Sequence, residues 1–377
     1  MIKKISHAGR KIFICCSFFI ATLLALSNLA PYLNPAIWWI ISLIALIFPA
    51  LFILTIFFLI LWLFIKPKYS ILPLAAVLLS IPAVLNTFAL NKRSIFNNNK
   101  VTGSLRVVTW NVGLLNFTAK DHKTAEQQNA IIFNKLKELD ADVICLQEFF
   151  SAVIPGTQYN FIDSIAKTLG YPYYYFSRDN SYFSDQFYSG NIIYSKYKIT
   201  DSSRTVFPDS NAGALIKTSL LVNNDTIHIF TTRLHSVNFD RHEYQAIDNL
   251  KKITDPRLKG SVNIIRKLKY AYSKRTNQIN ILTAKLNETR GPIVFAVDMN
   301  DVPTGYAYAA LKKNRKDVWI SNANGVGRTF KYISPTLRID YIFINSYFEP
   351  LQTQRIISSG SDHYGLVTDI IIKKEAE

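Results

Sequence analysis

Three long apolar runs fill the first quarter of the chain, at 12–29, 36–65 and 71–90, and none contains Asp, Glu, Lys or Arg. Each comes close to or exceeds the ~20 residues that cross a ~30 Å hydrocarbon core, so three transmembrane helices are expected. A cleaved leader would account poorly for the first run, because two more follow it and no small-residue cleavage site stands out. The middle run is about ten residues longer than a perpendicular span needs and contains Pro49; a tilted, kinked single span is expected rather than a re-entrant pair. From Leu105 onward the pattern changes to short β-rich runs separated by polar loops and helical stretches. The sequence therefore divides into a membrane anchor over 1–90, a polar tether over 91–104 and a soluble domain over 105–377. At ~3.3 Å per residue such a tether reaches no more than about 45 Å, which keeps the domain near the bilayer.

Composition sharpens this division. An apolar content of 49% excludes disorder, and three cysteines, two of them adjacent (Cys15, Cys16), exclude a disulfide-stapled scaffold. Cys145 lies alone in a strand-like run and is expected as a buried, inert thiol. The formal charge is +17, but residues 1–100 hold no acid, and their nine Lys and Arg leave 34 of the 43 bases and all 26 acids to 101–377, a net +8 there. Lys3, Lys4, Arg10 and Lys11 precede the first run, and Lys66 and Lys68 lie between the second and third. That pattern places the N-terminus in the cytoplasm and, after three crossings, the soluble domain outside it. The expectation is an integral membrane protein of bacterial inner-membrane type, with the bilayer contacted through residues 12–90 and no protein partner implied.

The candidate chemistry lies where strands meet loops. Runs end at Asn111, at Gln147-Glu148, at Arg233-Leu-His235 and at Asp298-Met-Asn300-Asp301; another contains Asp340, and Asp362-His363 precedes the last. A polar group at one strand end is usually a turn or cap residue. This many acids, amides and imidazoles together suit a hard, oxygen-ligated cation and a general base. Zinc is disfavoured because no Cys/His pair has ligand spacing, whereas Mg2+ or Mn2+ suits carboxylates that share the ion with phosphate oxygens. There is no Gly-rich phosphate loop and no strand–Ser–helix elbow.

The ordered set Thr109-Trp-Asn111, Gln147-Glu148, Ser189-Gly-Asn191, Val297-Asp-Met-Asn-Asp-Val-Pro303, Arg338-Ile-Asp-Tyr-Ile-Phe343 and Ser361-Asp-His363 resembles the endonuclease/exonuclease/phosphatase superfamily, over about 105–373. The resemblance implies the deoxyribonuclease I fold: a four-layered α/β sandwich with two central mixed sheets, here preceded by three transmembrane helices. It further implies divalent-metal-dependent hydrolysis of phosphate esters in nucleic acid, phospholipid head groups or small phosphorylated molecules. By the same resemblance Glu148 binds the metal with help from Asn111, and Asp362 lies close to it. Asp298 orients and deprotonates the attacking water, Asn300 holds the scissile phosphate, and His363, kept in its tautomer by Asp340, donates to a phosphoryl oxygen. Asn191 is expected behind this set, or simply as a turn residue after Gly190.

One position departs from the family. A Thr-His-Leu motif is usual on a central strand, and here the stretch reads Thr232-Arg-Leu-His-Ser236. Either His235, on the same face if pairing continues, or Arg233 supplies the phosphate contact; Arg cannot act as an acid at neutral pH. A non-catalytic membrane-bound module that binds phosphorylated ligands is the alternative this departure keeps open. Between about 239 and 289 lies a basic, helical insert carrying Lys251, Lys252, Arg257, Lys259, Arg266, Lys267, Lys269, Lys274 and Arg275, which reads either as a cationic surface or as a solvated helix face. The tyrosine-rich run at 170–176 reads as a packed strand.

Overall fold

The computed structural model describes residues 7–92, 96–118, 121–157, 159–208, 213–237, 239 and 259–373. The apolar first quarter forms five helices: α1 (His7–Ser27), α2 (Trp39–Leu46), α3 (Phe48–Ile65), α4 (Ile71–Leu79) and α5 (Ile81–Thr87). The break between α2 and α3 falls at Ile47, and Pro49 sits in the first turn of α3. A proline there loses nothing, because its missing N–H would have no partner and its fixed φ already suits a helix. Pro49 therefore starts a helix rather than kinking one, and the expected single middle span is two helices. The run over 71–90 is likewise broken at Ser80, with Pro82 opening α5 and the two halves bent by 50°.

These breaks correct the expectation of three spans. Among the described residues α3 alone is long and apolar enough to cross a bilayer, or two spans exist if the bent pair counts as one. The placement of the domain outside the cytoplasm rests on three crossings, a number these helices do not supply. The bundle itself is packed: α1, α3 and α4 share a small core of Ala21, Leu24, Phe48, Leu51 and Ala76, and Trp62 Nε1 donates to Ser17 Oγ at 2.9 Å. Outward, Ile53, Phe57, Ile60 and Phe64 of α3 stay exposed.

The remainder is a mixed α/β sandwich. In chain order its strands are β1 (Ala89–Leu90), β2 (Leu105–Asn111), β3 (Val143–Ala152), β4 (Tyr173–Phe176), β5 (Asn180–Tyr182), β6 (Phe187–Ser195), β7 (Ile199–Thr205), β8 (Leu215–Val222), β9 (Asp225–Arg233), β10 (Ile293–Asp298), β11 (Lys316–Asp317), β12 (Asn324–Gly325), β13 (Asp340–Ile344), β14 (Phe348–Ile356) and β15 (Gly365–Ile372). One sheet has the order β14-β15-β2-β3-β6-β4, with β5 also on β6, and the other β11-β13-β10-β9-β8-β7. Each contains one parallel pair, β2 with β3 and β9 with β10, and both are therefore mixed.

Period-two alternation explains why the sheets stack. Along β10, Val294 and Ala296 enter the core between the sheets with Val107, Cys145 and Ile193. Ile293, Phe295 and Val297 face the other way, toward the helices over the outer face. Helices α6 (His122–Leu139) and α7 (Phe161–Leu169) cover the first sheet, while α8 (Lys259–Glu288) and α9 (Tyr306–Lys312) cover the second, giving four layers. Cys145 is fully buried, and its thiol is pushed up by that burial. The tyrosine run contributes β4, paired to β6.

The helical bundle and the sandwich are joined directly. Tyr272 Oη on α8 donates to the Ser42 carbonyl at 3.3 Å, Thr304 Oγ1 to the Ala45 carbonyl at 2.9 Å, and Arg338 Nη2 to the Asn86 carbonyl at 2.8 Å. Along the stretch expected as a short polar tether, 91–104, several described residues contact the sandwich. Asn91 Nδ2 donates to the Ile320 and Ala323 carbonyls, the Asn97 N–H to Gln352 Oε1, and Lys100 pairs with Asp142 at 2.8 Å. Part of the basic insert lies outside the described residues, including Lys251, Lys252, Arg257 and the Lys259 side chain. Of the rest, Arg275 is buried, and Lys269 lies over the Trp39 ring of the bundle.

Candidate active site

Sheet register brings the polar strand ends together. Because β10 runs antiparallel to β13 and parallel to β9, the last residue of β10, Asp298, pairs with the first of β13, Asp340, on one side and with the last of β9, Arg233, on the other. In the facing sheet Asn111 ends β2 opposite Gln147. Residues Gln147 and Glu148 form a bulge opposite Asn191 of β6, since Leu146 pairs with Ile192 and Phe149 with Gly190. Glu148 holds φ at +48°, a left-handed conformation uncommon for a side chain of this kind, which frees it from the strand's alternation and turns it toward the second sheet.

Amides tie the two sheets at this edge. Asn111 Nδ2 donates to Glu148 Oε1 and to Asp298 Oδ2, each at 2.9 Å. Gln147 Nε2 donates to Thr109 Oγ1 on β2 and Thr231 Oγ1 on β9, at 3.0 and 2.8 Å. Asn191 is no turn residue: it lies mid-strand, its Nδ2 donates to the Ala214 carbonyl, and its N–H donates to Ser177 Oγ. That hydroxyl comes so near Gly190 that an added Cβ would lie 2.3 Å from it, which accounts for the glycine.

The electrostatics are those of a crowded, mostly buried charge cluster. His363 Nδ1 meets Asp340 Oδ2 at 2.9 Å. Burial works against the imidazolium, but Asp340, Asp298 and Asp362 outweigh it and lift His363 to about 10. Asp298 is fully buried, and burial followed by repulsion from Asp340 raises its carboxyl well above the usual range. Burial raises Glu148 too, yet Arg233, Asn111 and His363 more than offset it and hold this carboxylate below its ordinary value. Arg233 Nε lies 2.7 Å from Glu148 Oε1 and 3.6 Å from Asp298 Oδ2, close enough for an ion pair although the N–H direction makes no aligned hydrogen bond. Asp340 Oδ1 is buried with no hydrogen-bond partner among the described residues, a costly state in a folded core.

Of the residues expected from the sequence, Asn111, Glu148, Arg233, Asp298, Asp340 and His363 meet in this cluster. Asn300, at φ +51°, donates its N–H to Asp298 Oδ1 at 3.1 Å. Asp362 lines the same cavity as Glu148, Arg233, Asn300 and His363. His235 does not join them. Strand β9 ends at Arg233, the chain turns away, and the His235 ring packs on Tyr270 of α8 while its N–H donates to Gln278 Oε1. Burial and then Arg275, Arg233 and Lys274 depress this imidazole to about 4, so it is neutral at neutral pH. Between the two candidates, Arg233 is the one at the cluster.

Of three further supports, Thr329 has no signal in the sequence, while Trp110 and Ser361 stand inside the family-like motifs without an expected role. Thr329 Oγ1 accepts the N–H of Ile339 and of Asp340, fixing the start of β13. Trp110 Nε1 donates to the His363 carbonyl, and Ser361 Oγ donates to the Asn111 carbonyl. Oxygen-bearing side chains of Glu148, Asn300, Asp301 and Asp362 are among those lining the cavity, a set that suits a hard divalent cation. Asp298, Asp340 and His363 also have ligand-type atoms within 4.8 Å of one another, and within this group His363 Nδ1 is already engaged by Asp340.

Comparison with known proteins agrees with this reading of the fold. The model of the Endonuclease/Exonuclease/phosphatase family matches residues 108–363, and that of a domain of unknown function matches residues 10–87. No curated protein matches the sequence. Among solved structures, an endonuclease/exonuclease/phosphatase from Beutenbergia cavernae is similar at TM-score 0.51 and 20% identity, covering 71% of this chain and 72% of its own. The human Nocturnin catalytic domain, solved with a bound sulfate anion, is similar at TM-score 0.51 and 14% identity, covering 72% and 94%. A family protein from Leptotrichia buccalis gives TM-score 0.50 and 17% identity, covering 71% and 99%.

Proposed function

The chain belongs to the Endonuclease/Exonuclease/phosphatase family, and on that premise we propose that it is a membrane-anchored, divalent-metal-dependent phosphoesterase. The observation that carries this reading is the meeting, at one edge of two stacked sheets, of a buried carboxylate raised toward neutrality and an imidazole kept charged by its own carboxylate partner. Hydrolysis of a phosphate ester needs an aligned water and neutralisation of growing phosphoryl charge, and these groups supply both.

Each residue then has a task. Asp298, oriented by Asn111 and by the Asn300 N–H, takes a proton from the attacking water. His363 presents Nε2–H to a phosphoryl oxygen while Asp340 holds Nδ1, and Asn300 steadies the phosphate. Arg233 adds a permanent cation where family members carry histidine; it neutralises charge but cannot deliver a proton. Glu148, with Asn111 and Asp362, would hold Mg2+ or Mn2+, and a bound ion of that kind polarises the phosphoryl group and lowers the pKa of water. Asn191 supports the Glu148 bulge from β6.

Anchoring in a bilayer is supported by α3, whose apolar side chains are two-thirds unburied by protein, unlike those of a soluble core helix. The domain limits of 1–90, 91–104 and 105–377 stand as part of the same proposal. One observation favours a second reading, a module that binds phosphorylated ligands without turnover: Arg233 already engages Glu148, the carboxylate assigned to the metal. The test is a screen of the full-length protein on DNA, RNA, phospholipid head groups and small phosphate esters, with and without divalent metal. The enzyme reading predicts metal-dependent release of product and its loss in Glu148→Ala and His363→Ala. Ligand binding without turnover in every arm supports the alternative, and retained turnover in both variants overturns the site.

A further inference from the structure

The cavity in front of Glu148, Arg233 and His363 has a volume of about 380 Å³ and a lining of two kinds. One part is the charged cluster. The other is apolar and includes Leu46, Ile264, Leu268, Val302, Ile333 and Leu337, with Phe330 packed against the His363 ring where the two parts meet. Val302 and Leu337 belong to one buried apolar cluster, against which Leu46 and Ile333 pack. Leu46 is the last residue of α2, so the membrane-type helices themselves form part of this wall. Directly beyond it Ile47 is exposed, as are Ile40 earlier in α2 and Ile53, Phe57, Ile60 and Phe64 along α3. The apolar lining thus includes a residue next in the chain to the bundle's exposed apolar side chains. Ile333 adds a second sign: it holds φ at +66°, which β-branched residues avoid, while its side chain faces the cavity.

We infer that the site takes a phosphate ester of the membrane-lipid kind, with the phosphate at Arg233 and His363 and an alkyl chain along Leu46, Leu268 and Ile333. The phosphate end of this inference rests on the function proposed above; the chain end rests on the apolar wall alone. Among the described residues, the charge of the lining argues against a polynucleotide. Glu148, Asp301 and Asp362 face Arg233 and Arg275, and of those two Arg233 is paired to Glu148 while Arg275 donates to the His235 carbonyl. Nucleic-acid grooves instead track several phosphates with unpaired Lys and Arg. An alkyl chain gains about fourfold in affinity for each methylene it buries, so a wall of this kind selects by chain length.

The experiment measures calorimetric binding of methyl, butyl and hexyl phosphate to the full-length protein in phosphatidylcholine nanodiscs with Mg2+, corrected with empty discs, beside turnover of the corresponding esters. Affinity should rise at least about tenfold from methyl to hexyl phosphate. Leu268→Gln and Ile333→Asn, on separate wall segments, should flatten that rise, and asparagine tolerates the positive φ at 333, so folding is retained. Equal affinity across the series overturns the inference whether or not the esters are hydrolysed. A short oligothymidylate that binds more tightly than hexyl phosphate at physiological salt also overturns it. Affinity that rises with chain length supports the inference whether or not these monoesters turn over, and the phosphoesterase reading fails separately if bis(p-nitrophenyl) phosphate is not hydrolysed either.

Discussion

Arg233 sits between two carboxylates, 2.7 Å from Glu148 and 3.6 Å from Asp298. A guanidinium in that place does part of what a divalent cation would do, and it competes for Glu148. Arg233→Ala should therefore tighten Mn2+ binding by up to about fivefold, the weight of one partly exposed ion pair, while turnover falls. Unchanged or weaker Mn2+ affinity by calorimetry would show that Arg233 does not compete for the site. The acid and base beside it set a pH window. Asp298, raised by burial and Asp340, becomes a base only as pH climbs through its elevated value, and His363 stays charged until pH passes about 10. By the same sign, the stability His363 contributes is complete below its ordinary value of 6.5 and is lost as pH rises through about 10. Asp340→Asn removes the charge that raises both groups, so both limbs of the pH–rate profile should move to lower pH. An alkaline limb that stays in place would contradict the dyad.

At the scale of elements, the bulge in β3 and the strand ends do the positioning. Beside Asn111, Gln147 Nε2 is a second polar tie between the sheets at this edge, serving Thr109 and Thr231 together. Gln147→Ala leaves two buried hydroxyls without this donor and should cost about 2–3 kcal/mol in denaturant unfolding; a loss below about 0.5 kcal/mol would contradict the role. Much of this architecture is legible in the sequence, because alternation marks strands and polar residues mark their ends. The alternation of 293–297 and the acid that closes it, Asp298, are examples. The choice between Arg233 and His235 is not legible, because it depends on where β9 stops pairing. Helix breaks are only half legible: Pro49 and Pro82 are visible, but whether a proline kinks a helix or opens one depends on the turn it occupies. The contacts of Asn91, Asn97 and Lys100 join residues far apart in the chain, which no local pattern reports.

The whole molecule is a phosphoesterase-type sandwich fastened to an apolar bundle, not hung from it. Ala89 enters the core between the sheets, Arg338 reaches back to Asn86, and Leu46 closes the wall of the cavity. The net +17 divides between nine bases in the first hundred residues, a stretch with no acid of its own, and a modest +8 over 101–377, to which the buried pairs Arg106 with Asp369 and Arg338 with Asp317 add nothing. Net charge therefore says little about substrate, and the cluster at Asp298 and His363 carries the functional claim. The most direct test is hydrolysis of bis(p-nitrophenyl) phosphate by the full-length protein with Mg2+ or Mn2+, against the same protein in EDTA and against Asp298→Asn with metal. The account predicts turnover that EDTA removes and that Asp298→Asn lowers at least about 100-fold. Turnover undiminished in Asp298→Asn, or equal with and without divalent metal, would contradict it.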